Sequence, residues 1–502
     1  MTSEAQTSGT HPGPQTWDWW KYGDGAVLAA YSAVVLWTLQ YHEKWADEAQ
    51  AWLIARDLDL GTIWFRELKY EGSPGLWHTI LWVAQHVFHA GYGAIGYIGA
   101  AFAIAGAGVL LFRAPFPRYI RWPLAFTYVM VYQYAVIARP YTLLPLLAFL
   151  AAILFKDRYH PRRMTLVLIV LCLLTVHGAI LACCIGAAYL LRAVMDWTSL
   201  PPGTKKDYWI CAIGTACVLL FLFVILQPTP DVEEIAVKNE VAQAPAWVRA
   251  QFPTLGTKLE AVMSGAFLDW FVPSITFWAL LVVWTLWRRR SLVFAVTTTT
   301  LIAFYGAVHG AAHHHGTVFI AAIMGLWVAW PATAGPMEWP AGTQWERLAI
   351  EGLLLILIGI NVWDSAVVIQ REYQYPYCGA DDAVRYLKSV GADQRPMFGL
   401  LFGVVAIQAH YDHNIFANNP NSYFHHGLPL TTTTLNVEEL NRVMPEYVVA
   451  YSNDPKQMVA SGVPEMTTRG YELVHFSDGY YLYKRAVFER EVYFIFRRQT
   501  NR

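Results

Sequence analysis

An acidic pair, Asp47 and Glu48, follows the first apolar stretch of the chain in the segment KWADEAQAWLIARDL. The segment is typical of an amphipathic helix with Trp52, Leu53 and Leu58 on its buried side, and the two carboxylates stand in its first turn. The dipole and the free amides there favour an ionised carboxylate, so Asp47 suits a general base or a metal ligand. Ordinary helix capping is the alternative interpretation. The position of the acidic pair directly after an apolar stretch favours a functional role over capping.

A single arginine, Arg139, interrupts the apolar segment AVIARPYTLL and is followed by Tyr141. A charge between two apolar segments is costly without a counter-ion, so Arg139 is predicted to bind an anion. A structural salt bridge to an acidic residue such as Glu71 is the competing explanation, and a substrate anion could displace that partner. His177, in LLTVHGAIL, lies at the end of another apolar segment, where a substrate contact and a capping or core histidine are equally expected.

Four histidines crowd the segment VHGAAHHHG, at positions 309, 313, 314 and 315. If a helix continues through it, His309 and His313 lie four residues apart on one face, a spacing that suits a metal ion, with His315 as a further ligand. The segment lacks a carboxylate neighbour, so contact of His314 and its neighbours with phosphate or glycan, or simple residence at a membrane interface, are alternatives. A divalent metal is therefore an open alternative, and no cofactor is assigned.

The elements that must position these side chains are membrane helices. Of 502 residues, 56% are hydrophobic and 15% are charged, against roughly 25% charged in soluble chains. Apolar stretches of about 20 residues, the length that crosses a bilayer, recur through the first 370 positions of the chain. This composition disfavours a soluble enzyme, a nucleic-acid binder and a disordered scaffold. The net charge of −1 provides no global field for polyanions, and the six cysteines are too few and too badly placed for a disulfide framework.

Apolar runs predict eleven transmembrane helices. Lys/Arg clusters at 113–121, 156–163, 192–206 and 288–290 fall in alternate loops, which places these loops on the cytoplasmic side. The segment 76–90, which contains His78, is 15 residues long and is predicted to be an interfacial helix on the outer face. The predicted spans are 25–41, 92–112, 122–138, 141–155, 164–177, 178–192, 208–227, 269–287, 291–308, 315–332 and 348–368.

The predicted organisation has three parts: a polar tail at 1–24, a transmembrane domain at 25–370 and an extracytoplasmic α/β domain at 371–502. The tail lacks the apolar core of a signal peptide, so the first span is expected to be retained. The outer face receives the first outer loop at 42–91 and a lid-like loop at 228–268. The C-terminal domain is predicted to contain helices at 381–390 and 437–444 and strands at 397–407, 447–451, 471–476 and 480–485.

The layout resembles the GT-C superfamily of polytopic glycosyltransferases, in particular members related to protein mannosyltransferases and the aminoarabinose lipid A transferase. The shared features are the pair Asp47-Glu48 in the first outer loop, a turn at 71–74 that opens an interfacial helix, many spans and a small outer C-terminal domain. The turn often reads His-Pro-Pro in these relatives, whereas this chain has Ser73-Pro74-Gly75. A backbone role of Pro74 is retained, and no histidine role carries over there.

The resemblance implies transfer of a sugar from a polyprenyl-phosphate donor to an acceptor on the extracytoplasmic face of the inner membrane, with inversion at the anomeric carbon. Asp47 then matches the catalytic base, and Glu48 beside it is a positioning or secondary group. The leaving group is already a phosphate and needs cations and hydrogen-bond donors, so this role falls to Arg139 and Tyr141. The candidate substrate contacts are Glu71, His78, His177, His309, His313 and His314.

Two other classes of function fit a polytopic chain. A transporter, a flippase or a lipid-binding protein for a lipid-linked glycan is the second class, but no internal repeat appears and the acidic pair lies in a loop rather than within a span. A non-catalytic envelope protein is the third class, although eleven spans exceed what anchoring requires. The expected partners are membrane lipids, the lipid-linked donor and an acceptor that is a lipid, a glycan or a protein, with no nucleic acid.

Overall fold

The chain folds into a bundle of apolar helices followed by a small domain of mixed helices and strands. The computed structural model describes residues 19–157, 159–227, 254–288, 291–308, 310, 312–331, 344–424 and 437–499. Residues 1–18 of the predicted tail, His309 and most of the predicted lid lie outside this part. The helices of seven residues or more are α1 (Trp19–Thr38), α2 (Ala46–Asp57), α3 (Leu76–His86), α4 (Ala94–Arg113), α5 (Arg118–Ala125), α6 (Leu144–Phe155), α7 (Pro161–Cys172), α8 (Val176–Met195), α9 (Pro202–Ile225), α10 (Leu255–Ala266), α11 (Phe271–Trp287), α12 (Val293–Ala307), α13 (Gly316–Ala329), α14 (Gln344–Gln374), α15 (Ala380–Ser389) and α16 (Val437–Val443).

Ten of the eleven predicted spans coincide with helices in the described part of the chain. The exception is 122–138, where α5 ends at Ala125 and a π-helical turn covers Val129–Gln133. Pro123 lies inside α5 and has no N–H to donate, so a continuous helix is disfavoured there. Helix α13 is buried along its whole length and forms the centre of the bundle, which agrees with its uniformly apolar sequence.

Among the described residues, four helices have the length and composition to cross a bilayer: α4, α8, α9 and α14. Helices α10 and α11 together make a fifth if they form one span, bent by 71°. Segment 140–155 and helix α12 are apolar but shorter. Helix α10 lies within the stretch predicted as a loop, because Thr254 caps its N-terminus by accepting a hydrogen bond from the backbone N–H of Thr257 at 3.2 Å.

The first outer loop contains the two helices predicted from its hydrophobic pattern, α2 and α3. Trp52 and Leu53 are buried as predicted, whereas Leu58 is half-buried, because α2 ends at Asp57 and Leu58 follows in extended backbone. A Cβ on Gly75, directly before α3, would lie 2.8 Å from the Trp64 ring, so only glycine allows this close packing of the turn.

The C-terminal domain contains a four-stranded sheet in the order β1-β2-β6-β3 and a β4-β5 hairpin. Strand β1 pairs with β2 in parallel, and the other neighbouring pairs are antiparallel. Strand β5 and the central strand β6 were not predicted from the sequence. The predicted strand 397–407 is longer than the observed β1, since Leu401 has a φ of +68° and helical turns cover 402–408. The strands are β1 (Met397–Leu400), β2 (Tyr447–Ser452), β3 (Tyr471–Ser477), β4 (Tyr480–Tyr483), β5 (Ala486–Arg490) and β6 (Val492–Arg498).

A cluster of four charges fastens the β4-β5 hairpin to the helices. Lys484 and Arg485, at the turn of the hairpin, both contact Asp269 in the bend between α10 and α11. The Arg485 Nε also lies 2.8 Å from the Oδ1 of Asp364, a fully buried residue of α14. Because each charge has an opposite neighbour, Lys484 and Asp364 can remain buried, and the cluster holds the two parts of the chain in one arrangement.

Candidate active site

Asp47 and Arg139 form an ion pair at one end of the helix bundle. Asp47 lies in the first turn of α2, and Arg139 precedes Pro140 in extended backbone, as expected for a residue before proline. The Nη1 of Arg139 lies 2.8 Å from the Oδ2 of Asp47, and the two side chains are 19% and 23% exposed. The pair is therefore shielded but reachable. A salt bridge from Arg139 to Glu71 was the alternative considered from the sequence. The partner of Arg139 in the structure is Asp47 instead.

The guanidinium of Arg139 has three further neighbours. Its Nη1 lies 2.7 Å from the Nε2 of His313, and its central carbon lies 5.6 Å from the ring centroid of Trp45 and 5.8 Å from that of Tyr141. Burial, together with the charge of Arg139, holds the pKa of His313 well below its usual range. His313 is therefore a neutral acceptor, and the aromatic faces stabilise the cation in this position.

A cavity of about 190 Å³ opens beside the ion pair. It collects residues from α2, from the turn before α3, from the Arg139 segment, from the start of α8 and from the histidine-rich segment. Seven of the side chains predicted as site residues line it: Asp47, Glu71, His78, Arg139, Tyr141, His177 and His314. The rest of the lining consists of Ala51, Gly72, Ser73, Trp77, Pro140, Thr175 and Val176.

Aromatic rings form one wall of this cavity. The Tyr141 ring stacks on Tyr134, with centroids 5.5 Å apart and an interplanar angle of 17°. The Tyr141 hydroxyl lies 3.2 Å from the Nδ1 of His177, whose ring is 4.7 Å from that of His314. Such a wall offers apolar faces together with polar edges, the combination that sugars and phosphates contact in proteins.

His78 adds an unused polar group to the cavity. Its side chain is 3% exposed, and neither ring nitrogen has a hydrogen-bond partner within the described part of the chain. Burial lowers the pKa of His78, despite the opposing charge of Glu71, so the ring is neutral and offers one donor and one acceptor. Buried polar atoms are almost always paired, and a ligand in the cavity would supply the missing partner.

Glu71 is held by the neighbouring helix. The Nε2 of Gln50, in α2, donates a hydrogen bond of 3.0 Å to the Oε1 of Glu71. Gln50 also bonds both backbone groups of Phe424 in the C-terminal domain, accepting from its N–H at 3.0 Å and donating to its carbonyl. The C-terminal domain therefore supports the cavity indirectly, through Gln50.

Glu48 lies beneath the site and does not line the cavity. It is fully buried, and its Oε1 accepts a hydrogen bond of 2.7 Å from the backbone N–H of Ala138. Its Oε2 accepts one of 3.2 Å from the backbone N–H of Trp45, so Glu48 also caps α2. These contacts support the positioning role, and the capping interpretation considered in the sequence analysis applies to Glu48, whereas Asp47 turns to Arg139.

A buried network that was not predicted from the sequence lies behind Glu48. The ring of His42 bridges two carboxylates, with Nε2 at 3.1 Å from Glu48 and Nδ1 at 2.7 Å from Glu372, and Tyr132 donates to Glu372. Burial alone would lower the pKa of His42, but the two carboxylates outweigh it and raise the value to about 10. The only signal in the sequence was a histidine and an acid at the ends of two apolar runs.

In its described residues, the histidine-rich segment is not the continuous helix on which the predicted metal-binding face depended. Helix α12 ends at Ala307, and residues 312–314 form a single 3-10 turn, because Val308 already has extended backbone. His313 contacts Arg139, whereas His315 lines a different cavity. Within the described residues, which do not include His309, no three His, Cys, Asp or Glu side chains come together as a metal site.

Two aromatic residues of the site were also missed. Trp45 lies under Arg139, and its ring centroid is 4.9 Å from that of Tyr481 in strand β4. Tyr481 is 5% exposed and belongs to the hairpin that the Lys484 cluster fastens to the helices. No pattern in the sequence connects positions 45 and 481, since only the packing of the C-terminal domain brings them together.

The fold is similar to the crystal structure of ArnT from Cupriavidus metallidurans bound to undecaprenyl phosphate, with a TM-score of 0.50 and 14% sequence identity over 96% of this chain and 98% of that one. No family model matches the chain, and no curated protein matches its sequence. The likeness confirms the predicted GT-C-like fold: an integral membrane protein with a small C-terminal domain that contains strands.

Proposed function

We propose that the chain is a GT-C-type glycosyltransferase that moves a sugar from a polyprenyl-phosphate donor to an acceptor. The observation that carries this proposal is the pairing of Asp47 with Arg139 at 2.8 Å beside a cavity of about 190 Å³. A carboxylate and a guanidinium side by side supply the two groups that the reaction requires. One removes a proton from the acceptor, and the other stabilises a leaving phosphate.

Asp47 acts as the general base. Its carboxylate takes the proton of an acceptor hydroxyl, and the hydroxyl oxygen forms a bond to the anomeric carbon of the donor. The bond from that carbon to the phosphate oxygen breaks on the opposite face, so the product has the inverted configuration. The electron pair of the broken bond stays on the polyprenyl phosphate, which leaves as a monoester without needing a general acid.

Arg139 binds the phosphate of the donor. The guanidinium can form two parallel hydrogen bonds to phosphate oxygens, a geometry that lysine cannot match. Asp47 pairs with the guanidinium, so an incoming phosphate competes with Asp47 and frees its carboxylate for the acceptor. Tyr141 and His177 stand next to Arg139 as further contacts for the donor, and His78 and Glu71 are contacts for the sugar or the acceptor.

The nature of the donor is supported by the structural comparison. The similar ArnT structure holds undecaprenyl phosphate, a polyprenyl phosphate, and the likeness extends over nearly the whole of both chains. The aromatic wall at Tyr141 and the neutral histidines of the cavity suit a sugar attached to such a lipid.

The location of the site is proposed to be the extracytoplasmic face of the inner membrane. Helix α6 starts next to Tyr141 and ends before Lys156, and α8 starts at the cavity with Val176 and ends after Arg192. The basic loops therefore lie at the helix ends opposite the site. The preference of cytoplasmic loops for Lys and Arg then supports an extracytoplasmic cavity.

The test is release of free polyprenyl phosphate by the purified chain from a panel of polyprenyl-phosphate sugars. Wild-type protein is compared with Asp47→Asn and Arg139→Ala, and with Asp412→Asn as a control at an exposed acid of the C-terminal domain. Release by wild type and control, and its loss in the two site variants, would support the proposal. Binding of the carrier lipid without any release would contradict it and favour a transporter or a lipid-binding protein. A parallel reaction with a chelator tests the metal requirement.

A further inference from the structure

A second and larger cavity lies at the opposite end of the bundle. It has a volume of about 630 Å³ and is enclosed by the ends of α6, α8, α11 and α13 and by the start of α12. Along α8, His177 of the candidate active site and Arg192 of this cavity are 15 residues apart, which corresponds to roughly 20 Å. The two cavities are therefore separate sites.

Two cations line this second cavity, and no acid does among its described residues. Lys156 directly follows α6, and Arg192 lies in the last turn of α8. Asp157, which follows Lys156 in the sequence, pairs with His160 at 2.8 Å. The Nη1 of Arg192 donates to the Phe155 carbonyl at 3.0 Å, and a guanidinium has further N–H groups that can contact a phosphate. Partial burial and the neighbouring Arg192 lower the pKa of Lys156, because two like charges are held together.

The remainder of the cavity is largely apolar and open to the side of the bundle. Leu191, Met195, Leu286 and Leu292 line it, and each of these side chains is at least 44% exposed. In an integral membrane protein, apolar side chains at the end of a span face lipid rather than water. Two hydroxyl side chains, Thr285 and Ser291, also line the cavity. The cavity therefore joins an apolar groove to a positive end, a pattern complementary to a lipid with an anionic headgroup.

We propose that this cavity binds an anionic glycerophospholipid of the leaflet opposite the candidate active site. Lys156 and Arg192 hold the phosphate, and the acyl chains lie along the apolar rim formed by Leu191 and its neighbours. Basic pockets between transmembrane helices recognise anionic headgroups in this way, through charge and hydrogen bonds at the interface and apolar contact below it. The site does not depend on the proposed glycosyl transfer, since no residue is shared.

The experiment uses the purified full chain, exchanged into detergent with equimolar dioleoylphosphatidylglycerol and dioleoylphosphatidylcholine, and native mass spectrometry to count retained lipids. We expect wild type to retain phosphatidylglycerol in clear preference. Removing each cation by Lys156→Gln or Arg192→Gln should weaken this preference about fivefold. The control Arg113→Gln removes an exposed cation at the end of α4 that lines neither cavity, and should leave the preference unchanged.

A second variant tests the cavity itself. Ala188→Phe places a ring in the space beside Arg192 without changing any charge, and should reduce retention of both lipids if the acyl chains occupy the groove. Equal retention of the two lipids by wild type, or an unchanged preference in the Lys156→Gln/Arg192→Gln double variant, would overturn the proposal. Full displacement of phosphatidylglycerol by millimolar inorganic phosphate would also overturn it, because the site would then take a free anion rather than a lipid.

Discussion

Glu48 accepts a hydrogen bond of 2.7 Å from the backbone N–H of Ala138, a residue 90 positions further along the chain. Ala138 directly precedes Arg139, whose guanidinium pairs with Asp47, the neighbour of Glu48. Glu48 therefore holds the backbone next to Arg139, and Asp47 forms the ion pair with the Arg139 side chain. This arrangement gives the two carboxylates different surroundings, as the proposed division into a positioning group and a base requires.

Glu48→Gln should destabilise the protein and lower its activity. After the substitution, His42 has one neighbouring carboxylate instead of two. An amide also replaces the carboxylate that accepts three hydrogen bonds in the wild type. Loss of one partner in a buried ionic network costs about 3 kcal/mol. A thermal unfolding measurement in detergent should show a lower midpoint, whereas Glu438→Gln, at an exposed position of α16, should not change it. Equal midpoints for Glu48→Gln and wild type would refute the positioning role.

Asp47→Asn should abolish catalysis without unfolding the chain. Asparagine has nearly the same shape and still accepts a hydrogen bond from Arg139, but it cannot take the acceptor proton. Loss of a general base typically lowers the rate by about 1,000-fold. The measurement is kcat for polyprenyl phosphate release, beside the thermal midpoint. A variant that folds normally and keeps more than a tenth of the activity would exclude Asp47 as the base.

Arg139→Lys should affect donor binding more than protein stability. Lysine keeps the positive charge near Asp47 but loses the planar arrangement of N–H groups and the stacking on Trp45 and Tyr141. We expect KM for the lipid-linked donor to rise about tenfold. Arg66→Lys, at an exposed position in the first outer loop, is the matched control. An unchanged KM in Arg139→Lys would argue for a structural salt bridge.

The stability of the chain should fall as the pH rises, and His42 should contribute to this fall. The pKa of His42 in the folded state is about 10, above the ordinary 6.5, so folding favours its protonated form. Its contribution is complete below pH 6.5 and is lost as the pH rises through 10, with a slope of up to about 1.4 kcal/mol per pH unit. Burial also raises the pKa of Glu43 to about 7 and that of Glu491 to about 8, which gives the same sign.

His42→Gln separates the histidine from these two acids. Thermal midpoints measured between pH 6 and 10 should decline for wild type, and the decline above pH 8 should be clearly smaller for His42→Gln. Glu43 has largely lost its proton by pH 8 and Glu491 by pH 9, so the difference between the two curves above pH 9 reports His42. Parallel curves for the two proteins would show that His42 does not carry the charge in the folded state.

Asp364→Asn should loosen the attachment of the C-terminal domain. The substitution removes one of the two carboxylates that neutralise Lys484 and Arg485, and leaves a buried excess of positive charge. We expect faster hydrogen exchange of the β4-β5 hairpin and lower activity, because Tyr481 of this hairpin packs on Trp45 beside Arg139. Glu465→Gln, which removes an exposed pair with Arg469, is the control. Unchanged exchange of the hairpin in Asp364→Asn would contradict the anchoring role of the cluster.

Much of the helical framework could be predicted from the sequence, because hydropathy and helix-start signals are local. The apolar runs predicted ten of the helical segments, and the acidic pair was correctly placed in the first turn of α2. The failures have local causes as well. Pro123 interrupts a run that is apolar enough for a span. The central strand β6 directly follows the charged segment 489–491, and its apolar pattern was therefore not recognised as a strand.

The sequence by itself determined that this is a polytopic membrane protein, and it supplied the residue types of the site, including Asp47 and Arg139. Only the tertiary structure decided that these two residues are partners, that Glu48 is turned to Ala138 and that Tyr481 joins Trp45. The physical reason is the range of the interactions. A helix is specified by hydrogen bonds four residues apart and by the polarity of its faces. A contact across 90 or more positions depends on how all the intervening elements pack, and no short pattern encodes it.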